Sequence, residues 1–446
     1  MTRQTRLTAK TASWIANVSA RLALGILLVL TLTGRAKADP TTDAGRATII
    51  QNFFTAYQAA ITNPSAVPAL LSLLVPDGTD AAPCVLPYGV LSCGAEINVE
   101  WTYAGAPGRA LPFAGTWVAH QGVMDALAGI RNTSTTNSFL VKEILTGAYE
   151  VNFEKGFSPS EFLIPQPYQP PVGYGYSVAY RSAALLKEFR TVNSTGIQYR
   201  GDIACLLTIE ESGLISNVHF YYDSYVPSQA YVGTHNQIVN PDIDPVLTPL
   251  RNASTNTAPP VPGVPEPLSA VLNFFITFSN PYVNVEGNFA SALPSIITPN
   301  CIVSFAGDPK YLPFADNVIR QGADEVILTF EQQLANSRPR AFDLEEFFFP
   351  AATPVAGCVP CTTASDRVVT NANETRFSSH TNMGYNPEVM ILMTVRDDLV
   401  ASVQGVFDSV LTTTAFTGRD PFNCEYPAFN WLAGGRHCFE LNPLGF

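Results

Sequence analysis

Two stretches of the chain spell the same loop: "LPFAGTWVAHQG" (Leu111–Gly122) and "LPFADNVIRQG" (Leu312–Gly322). Leu-Pro-Phe-Ala suits a tight, proline-shaped turn, and both copies run on to Gln-Gly. A repeat at this distance marks a duplicated fold, so the flanks should repeat as well.

They do. Upstream, "IIQNFFTAYQAAI" places Ile50, Phe53, Phe54 and Tyr57 at i, i+3, i+4 and i+7. "AVLNFFITFSN" gives Val271, Phe274, Phe275 and Phe278 the same spacing. Both predict an amphipathic helix. "ALLSLLVPDG" and "ALPSIITPNC" then predict a short helix ending at a proline turn. "INVEWTYAGAPGRALPFAG" faces "CIVSFAGDPKYLPFAD", a strand leading into the repeated loop, and the first copy adds "CVLPYGVLSC". "QGVMDALAGI" and "QGADEVILTFEQQL" predict a third helix, with Arg320 roughly in the place of His120.

The rest of each copy is strand-like. "EFLIP" at Glu161 pairs with "EFFFP" at Glu346. "GDIACLLTIEESGLISNVHFYYDS" pairs with "PEVMILMTVRDDLVASVQGVFDS". Each of these is a hairpin signal closing on an aromatic residue, Asp and Ser. The fold expected is α+β: two tandem cone-like domains, each with three helices packed on a strongly curved antiparallel sheet.

Between the copies, Asn240–Pro267 holds eight prolines. That density favours an extended spacer over a packed helix. The expected organisation is a signal peptide (1–38), a first domain (39–239), a linker (240–266), a second, more divergent domain (267–418) and a Cys-containing tail (419–446).

The signal peptide rests on a basic start, a thirteen-residue apolar run (Leu22–Gly34) and "AKA" before Asp39. The run is too short for a bilayer span of about 20 residues, so export with cleavage is expected rather than anchoring. Loss of six basic residues then moves the formal charge from −12 to −18. A body this acidic repels phosphate backbones, so no nucleic acid partner is expected, and no membrane partner after cleavage.

Eight cysteines suit an oxidising compartment. Cys84 with Cys93, Cys358 with Cys361, and Cys424 with Cys438 are local pairs; Cys205 reads as a buried thiol, and Cys301 is open to either reading. Sequons at Asn132, Asn193, Asn252 and Asn373 are candidate glycosylation points.

A helix with "NFFxxY", a proline-ended second helix, "LPFAGxW" before a third helix, and a terminal hairpin closing on "YYD" together resemble a SnoaL-like domain. That family belongs to the nuclear transport factor 2-like, ketosteroid isomerase-like superfamily. The resemblance covers nearly all of residues 43–232 and, more loosely, 266–418. It implies a cone whose bent sheet wraps helices around an apolar cavity. Its members include polyketide cyclases, isomerases, dehydratases and proteins without catalysis, so the fold alone assigns no reaction.

Proton transfer on a carbonyl compound needs a base and an oxyanion donor in one pocket. Strand alternation in "NVHFYYDS" puts His219, Tyr221 and Asp223 on one face, as candidate base, donor and orienting partner. A solvated or inter-domain face fits that pattern equally, and Asp223 before Ser suits a turn cap. His120 in the repeated loop is a candidate titrating group. Trp101, Tyr103, Trp117 and Tyr57 are candidate ligand-binding aromatics. The histidines show no metal-binding spacing, so no metal and no cofactor are expected.

Three functions stay open. One is a secreted cyclase, isomerase or dehydratase acting on a hydrophobic carbonyl compound in the first domain. The second is a non-catalytic carrier or sensor of a small hydrophobic molecule. The third is a structural protein. In each the two domains are expected to pair as an intramolecular pseudo-dimer.

Overall fold

A computed structural model describes residues 38–80, 96–104, 111–151, 163–165, 179–233, 266–279, 289–315, 320–349, 353–354, 362–363 and 367–418. The signal-peptide pattern, the linker, the tail and six of the eight cysteines fall outside these residues or almost wholly so. The described residues from Pro40 onward form one compact unit. No helix among the described residues is long and apolar enough to cross a membrane.

The first half opens with α1 (Asp43–Ala60). Thr42 caps it, its hydroxyl accepting from the Gly45 N–H at 3.0 Å. Ile50, Phe53, Phe54 and Tyr57 are buried along one stripe, as the spacing requires. A short helix α2 (Val67–Leu71) follows. Then come β1 (Glu100–Tyr103), β2 (Gly115–Val118), α3 (Ala119–Thr133) and β3 (Ser134–Leu145). Strands β4 (Gly147–Val151) and β5 (Leu163–Pro165) precede the long β6 (Ala179–Val192), β7 (Gln198–Glu210) and β8 (Ile215–Tyr222). Helix α4 (Tyr225–Val232) closes the half.

The second half repeats the plan. It runs α5 (Glu266–Ser279), β9 (Ile297–Phe305), β10 (Arg320–Gln321), α6 (Ala323–Asn336) and β11 (Ser337–Phe349). It ends with β12 (Arg367–Ser378), β13 (Gly384–Tyr385), β14 (Glu388–Arg396), β15 (Leu399–Phe407) and α7 (Ser409–Thr417).

The two sheets share one strand order. The first is β2-β1-β8-β7-β6-β3 and the second β10-β9-β15-β14-β12-β11. Two details depart from expectation. Each sheet is mixed, because β1 runs parallel to β8 and β9 parallel to β15. A further helix, α4 or α7, follows the last strand of each half. The first half also lends β4 and β5 to the second sheet, where β4 pairs with the edge of β11.

Curl comes from bulges, which bend a strand and raise its twist. The β3·β6 ladder shifts register at Thr136/Ser138 and Val141/Glu143, and the β11·β12 ladder at Pro339/Ala341 and Leu344/Glu346. Counted from Ser134 and Ser337, the offsets are identical.

That register corrects two sequence matches. Glu346 is the counterpart of Glu143, not of Glu161, because β11 repeats β3. Arg320 stands where Trp117 stands, since Val303 pairs with Arg320 as Trp101 pairs with Trp117. The counterpart of His120 is Ala323: the Ala119 N–H donates to Val99 O as the Gly322 N–H donates to Cys301 O. The Gln-Gly letters therefore align the third helices three residues out of register. Ala119 accordingly takes φ 65°, in the left-handed region, where the second half uses Gly322 at φ 108°.

Candidate ligand-binding cleft

Three of the aromatics expected to line a first-half pocket, Trp101, Tyr103 and Tyr57, pack against one another. Trp101, Tyr103, Tyr57 and Phe220 are all buried. Tyr103 stacks on Phe220 at 4.7 Å, Tyr57 lies 5.4 Å from Phe220, and Trp101 lies 5.6 Å from it. The Tyr57 and Tyr103 hydroxyls meet at 3.1 Å. Burial pushes both phenols well above their ordinary range, so both stay protonated. Trp117, on the edge strand, donates its Nε1–H to Phe113 O at 3.0 Å.

The second half has smaller residues at two of these positions. Val303 replaces Trp101 and Gly405 replaces Phe220, while Phe305 replaces Tyr103. Phe305 swings over Gly405, where an added Cβ would meet its ring at 2.5 Å. An open cleft of about 560 Å³, counted out to its mouth, lies beside Phe305. Phe274, Phe305, Phe330, Gln333, Tyr385 and Thr412 are among its walls. This cleft lies among second-half residues, whereas the sequence expectation placed a pocket in the first half.

Polar groups gather at one side of this cleft. The Gln333 Oε1 is buried and accepts no hydrogen bond. Its counterpart is Ile130: the Ser337 hydroxyl donates to Gln333 O at 2.7 Å, and the Ser134 hydroxyl to Ile130 O at 3.0 Å. Glu374 also lines the cleft, paired with the buried Arg376 guanidinium. Arg376 donates to Ser337 Oγ at 2.7 Å and to Ser337 O at 3.2 Å. Burial pushes the Tyr385 phenol to about 12.

The first half holds a twin of this cluster. Arg190 donates to Glu188 at 2.6 Å and to Ser134 Oγ at 3.2 Å. Sequence reasoning passed over both clusters. The available signal was the spacing shared by Arg181 and Arg190, and by Arg367 and Arg376, each last Arg preceded by Glu at −2.

The remaining candidates are dispersed. His120 accepts its place from two contacts: its backbone N–H donates to Asp77 at 2.8 Å and its ring Nε2 meets Val75 O at 3.0 Å. His219 and Tyr221 do share a face, with rings stacked at 3.9 Å. That face looks onto the other half. Tyr221 packs with Leu185, Leu206, Phe348, Val369 and Met390. It donates to Glu388 at 3.1 Å, and His219 Nδ1 lies 3.5 Å from the same carboxylate.

Asp223 does not join them, because β8 ends at Tyr222 and the chain turns into α4. Its carboxylate accepts from the Tyr225 N–H at 3.1 Å, the Gly307 N–H at 3.0 Å and the Ser409 hydroxyl. Burial raises its pKa against these three bonds. Reciprocally, Asp408 accepts from the Ser224 hydroxyl at 2.5 Å. The recurring Asp-Ser pair is thus a joint between the halves.

Ion pairs repeat the reciprocity. Arg181 binds Glu346 through two nitrogens, the closer at 2.7 Å, and its counterpart Arg367 binds Glu143 at 3.2 Å. Among the sequons, Asn373 belongs to this seam, its amide donating to Glu345. Cys205 and Cys301 are free, buried thiols whose pKa burial raises. No grouping of three metal-binding side chains occurs among the described residues.

The seam carries a pH dependence. Burial first, then the Arg181 charge, hold the His219 pKa at about 4, below its ordinary 6.5. Between those values an unfolded chain takes up a proton that the folded chain refuses. His219 therefore contributes stability above about pH 6.5 that is lost as pH falls toward 4. Glu345, Asp223 and Asp408, all raised by burial, act in the opposite sense. His219→Gln, which installs the residue of its counterpart Gln404, should reduce the loss of stability on acidification across this window. Urea unfolding at several pH values measures it; an unchanged slope contradicts the assignment.

The chain matches no protein-family model and no curated protein. Its likeness to solved structures extends over about a third of its length. A candidate isomerase from Rhodopseudomonas palustris is 15% identical, over 34% of this chain and 97% of that one, with a TM-score of 0.28. An NTF2-like protein from Burkholderia xenovorans LB400 is 15% identical, over 34% and 95%, at 0.24. A candidate SnoaL-like polyketide cyclase from Jannaschia sp. CCS1 is 16% identical, over 34% and 92%, at 0.23. At these scores no chemistry transfers, and function rests on the residues themselves.

Proposed function

We propose that this chain is a non-catalytic carrier or sensor that binds a small, flat, largely apolar molecule in the second-half cleft. One observation carries the reading: a buried, unpartnered acceptor, Gln333 Oε1, in a cleft walled by phenylalanines. A buried acceptor left unpaired costs about 1–3 kcal/mol, and a ligand hydroxyl or N–H would recover it. Its aromatic walls suit a ring that stacks against them. Phenols have this chemistry. In this reading the protein is exported, works outside the cytoplasm, and pairs its two halves as an intramolecular pseudo-dimer, the first half serving as scaffold. The reciprocal ion pairs and Asp-Ser joints support that pairing.

A proton-transfer enzyme is the weaker reading, because His219, Tyr221 and Asp223 are engaged at the seam and His120 is tied to Val75 and Asp77.

Gln333→Leu separates the roles. Removing an unpaired buried polar group should stabilise the unliganded protein by about 1–3 kcal/mol. The same change should weaken 4-bromophenol binding about tenfold, while bromobenzene, without a donor, loses little. Denaturant unfolding and calorimetric titration read the two effects. Equal loss for both probes would contradict the donor assignment.

A further inference from the structure

We propose that Asp223, a first-half residue, is a positioning residue for the second-half cleft. This rests on the cleft being the binding site. The carboxylate reaches across the joint and holds two separate walls. One oxygen accepts from the Gly307 N–H at 3.0 Å. Gly307 opens the tight loop between Phe305 and Phe314, both cleft residues. The loop has no slack: Gly307 takes φ 113°, and a Cβ there would meet Leu312 at 2.6 Å.

The other oxygen accepts from the Ser409 hydroxyl, at the first residue of α7. That helix supplies Thr412 to the cleft. Neighbouring first-half residues reinforce the grip: Ser224 Oγ accepts from the Val410 N–H at 3.1 Å, and Tyr225 packs on Tyr311 at 6.1 Å. One carboxylate thus sets the spacing between the phenylalanine wall and the helix wall. Three donors converge on it, so an amide cannot replace it: one end of Asn would present N–H to N–H or O–H.

The test uses the full chain with 4-bromophenol as probe, and amide hydrogen exchange of Gly307 in the same samples. Asp223→Asn should weaken binding about tenfold and lower protection at Gly307, without moving the fluorescence of the tryptophans. Ser409→Ala, a milder change, should weaken binding a few-fold and spare Gly307. Arg181→Met breaks a seam contact away from the cleft and should leave affinity within about twofold. Equal loss in Arg181→Met, or unchanged affinity and protection in Asp223→Asn, overturns the proposal. If the wild-type protein binds no phenol, the ligand reading fails, and protection at Gly307 alone still decides whether Asp223 holds the wall.

Discussion

Arg376→Met should cost about 3–5 kcal/mol of folding stability. Arg376 is fully buried, and its guanidinium is committed to Glu374, Ser337 Oγ and Ser337 O. Met fills similar volume, so the loss is not one of packing. It strands the Glu374 carboxylate, itself buried, without its counter-charge. Arg376→Met combined with Glu374→Leu should recover most of the loss, since the cost lies in the orphaned charge and not in the missing pair. Chemical denaturation of the two variants decides it. If the double variant is as unstable as the single one, the charge argument is wrong.

Trp101→Ala should cost about 3–5 kcal/mol and open the first half. Trp101 is fully buried and touches Phe53, Tyr57, Tyr103 and Phe220. Its counterpart in the second half is Val303. If side-chain volume at this position decides which half is open, the variant should gain a cavity that takes up bromobenzene. A destabilised variant with no uptake would mean that the first half collapses around the loss, and that backbone differences, not residue size, open the second half.

The duplication was legible in the sequence because its carriers are local. "NFF" at helical spacing and the two closing hairpins need only nearest-neighbour periodicity to be recognised. Offsets were harder. "EFLIP" and "EFFFP" match as letters, yet β11 repeats β3, and the true markers are Ser134/Glu143 and Ser337/Glu346. Gln-Gly likewise pulled the third helices out of step.

Alternation put His219, Tyr221 and Asp223 on one face; the first two share it, but Asp223 lies past the end of β8 and turns into the joint. Alternation could not say which face is the interior. The sheet is buried on both sides, by its own helices on one and by the other half on the other. A polar face that looks like a pocket was the seam. The cleft was hidden for a different reason: its walls come from α5, β9, α6, β15 and α7, and no local pattern of letters brings Phe274, Phe305, Phe330, Phe407 and Thr412 together.

The most direct measurement is a crystal structure of the full chain grown with 4-bromophenol, read at the bromine absorption edge. One anomalous peak is expected among Phe274, Phe305 and Phe330, with the phenol oxygen within hydrogen-bond distance of Gln333 Oε1. A peak inside the first half, beside Tyr57 and Trp101, or a second-half cleft that stays empty at saturating phenol, would contradict it.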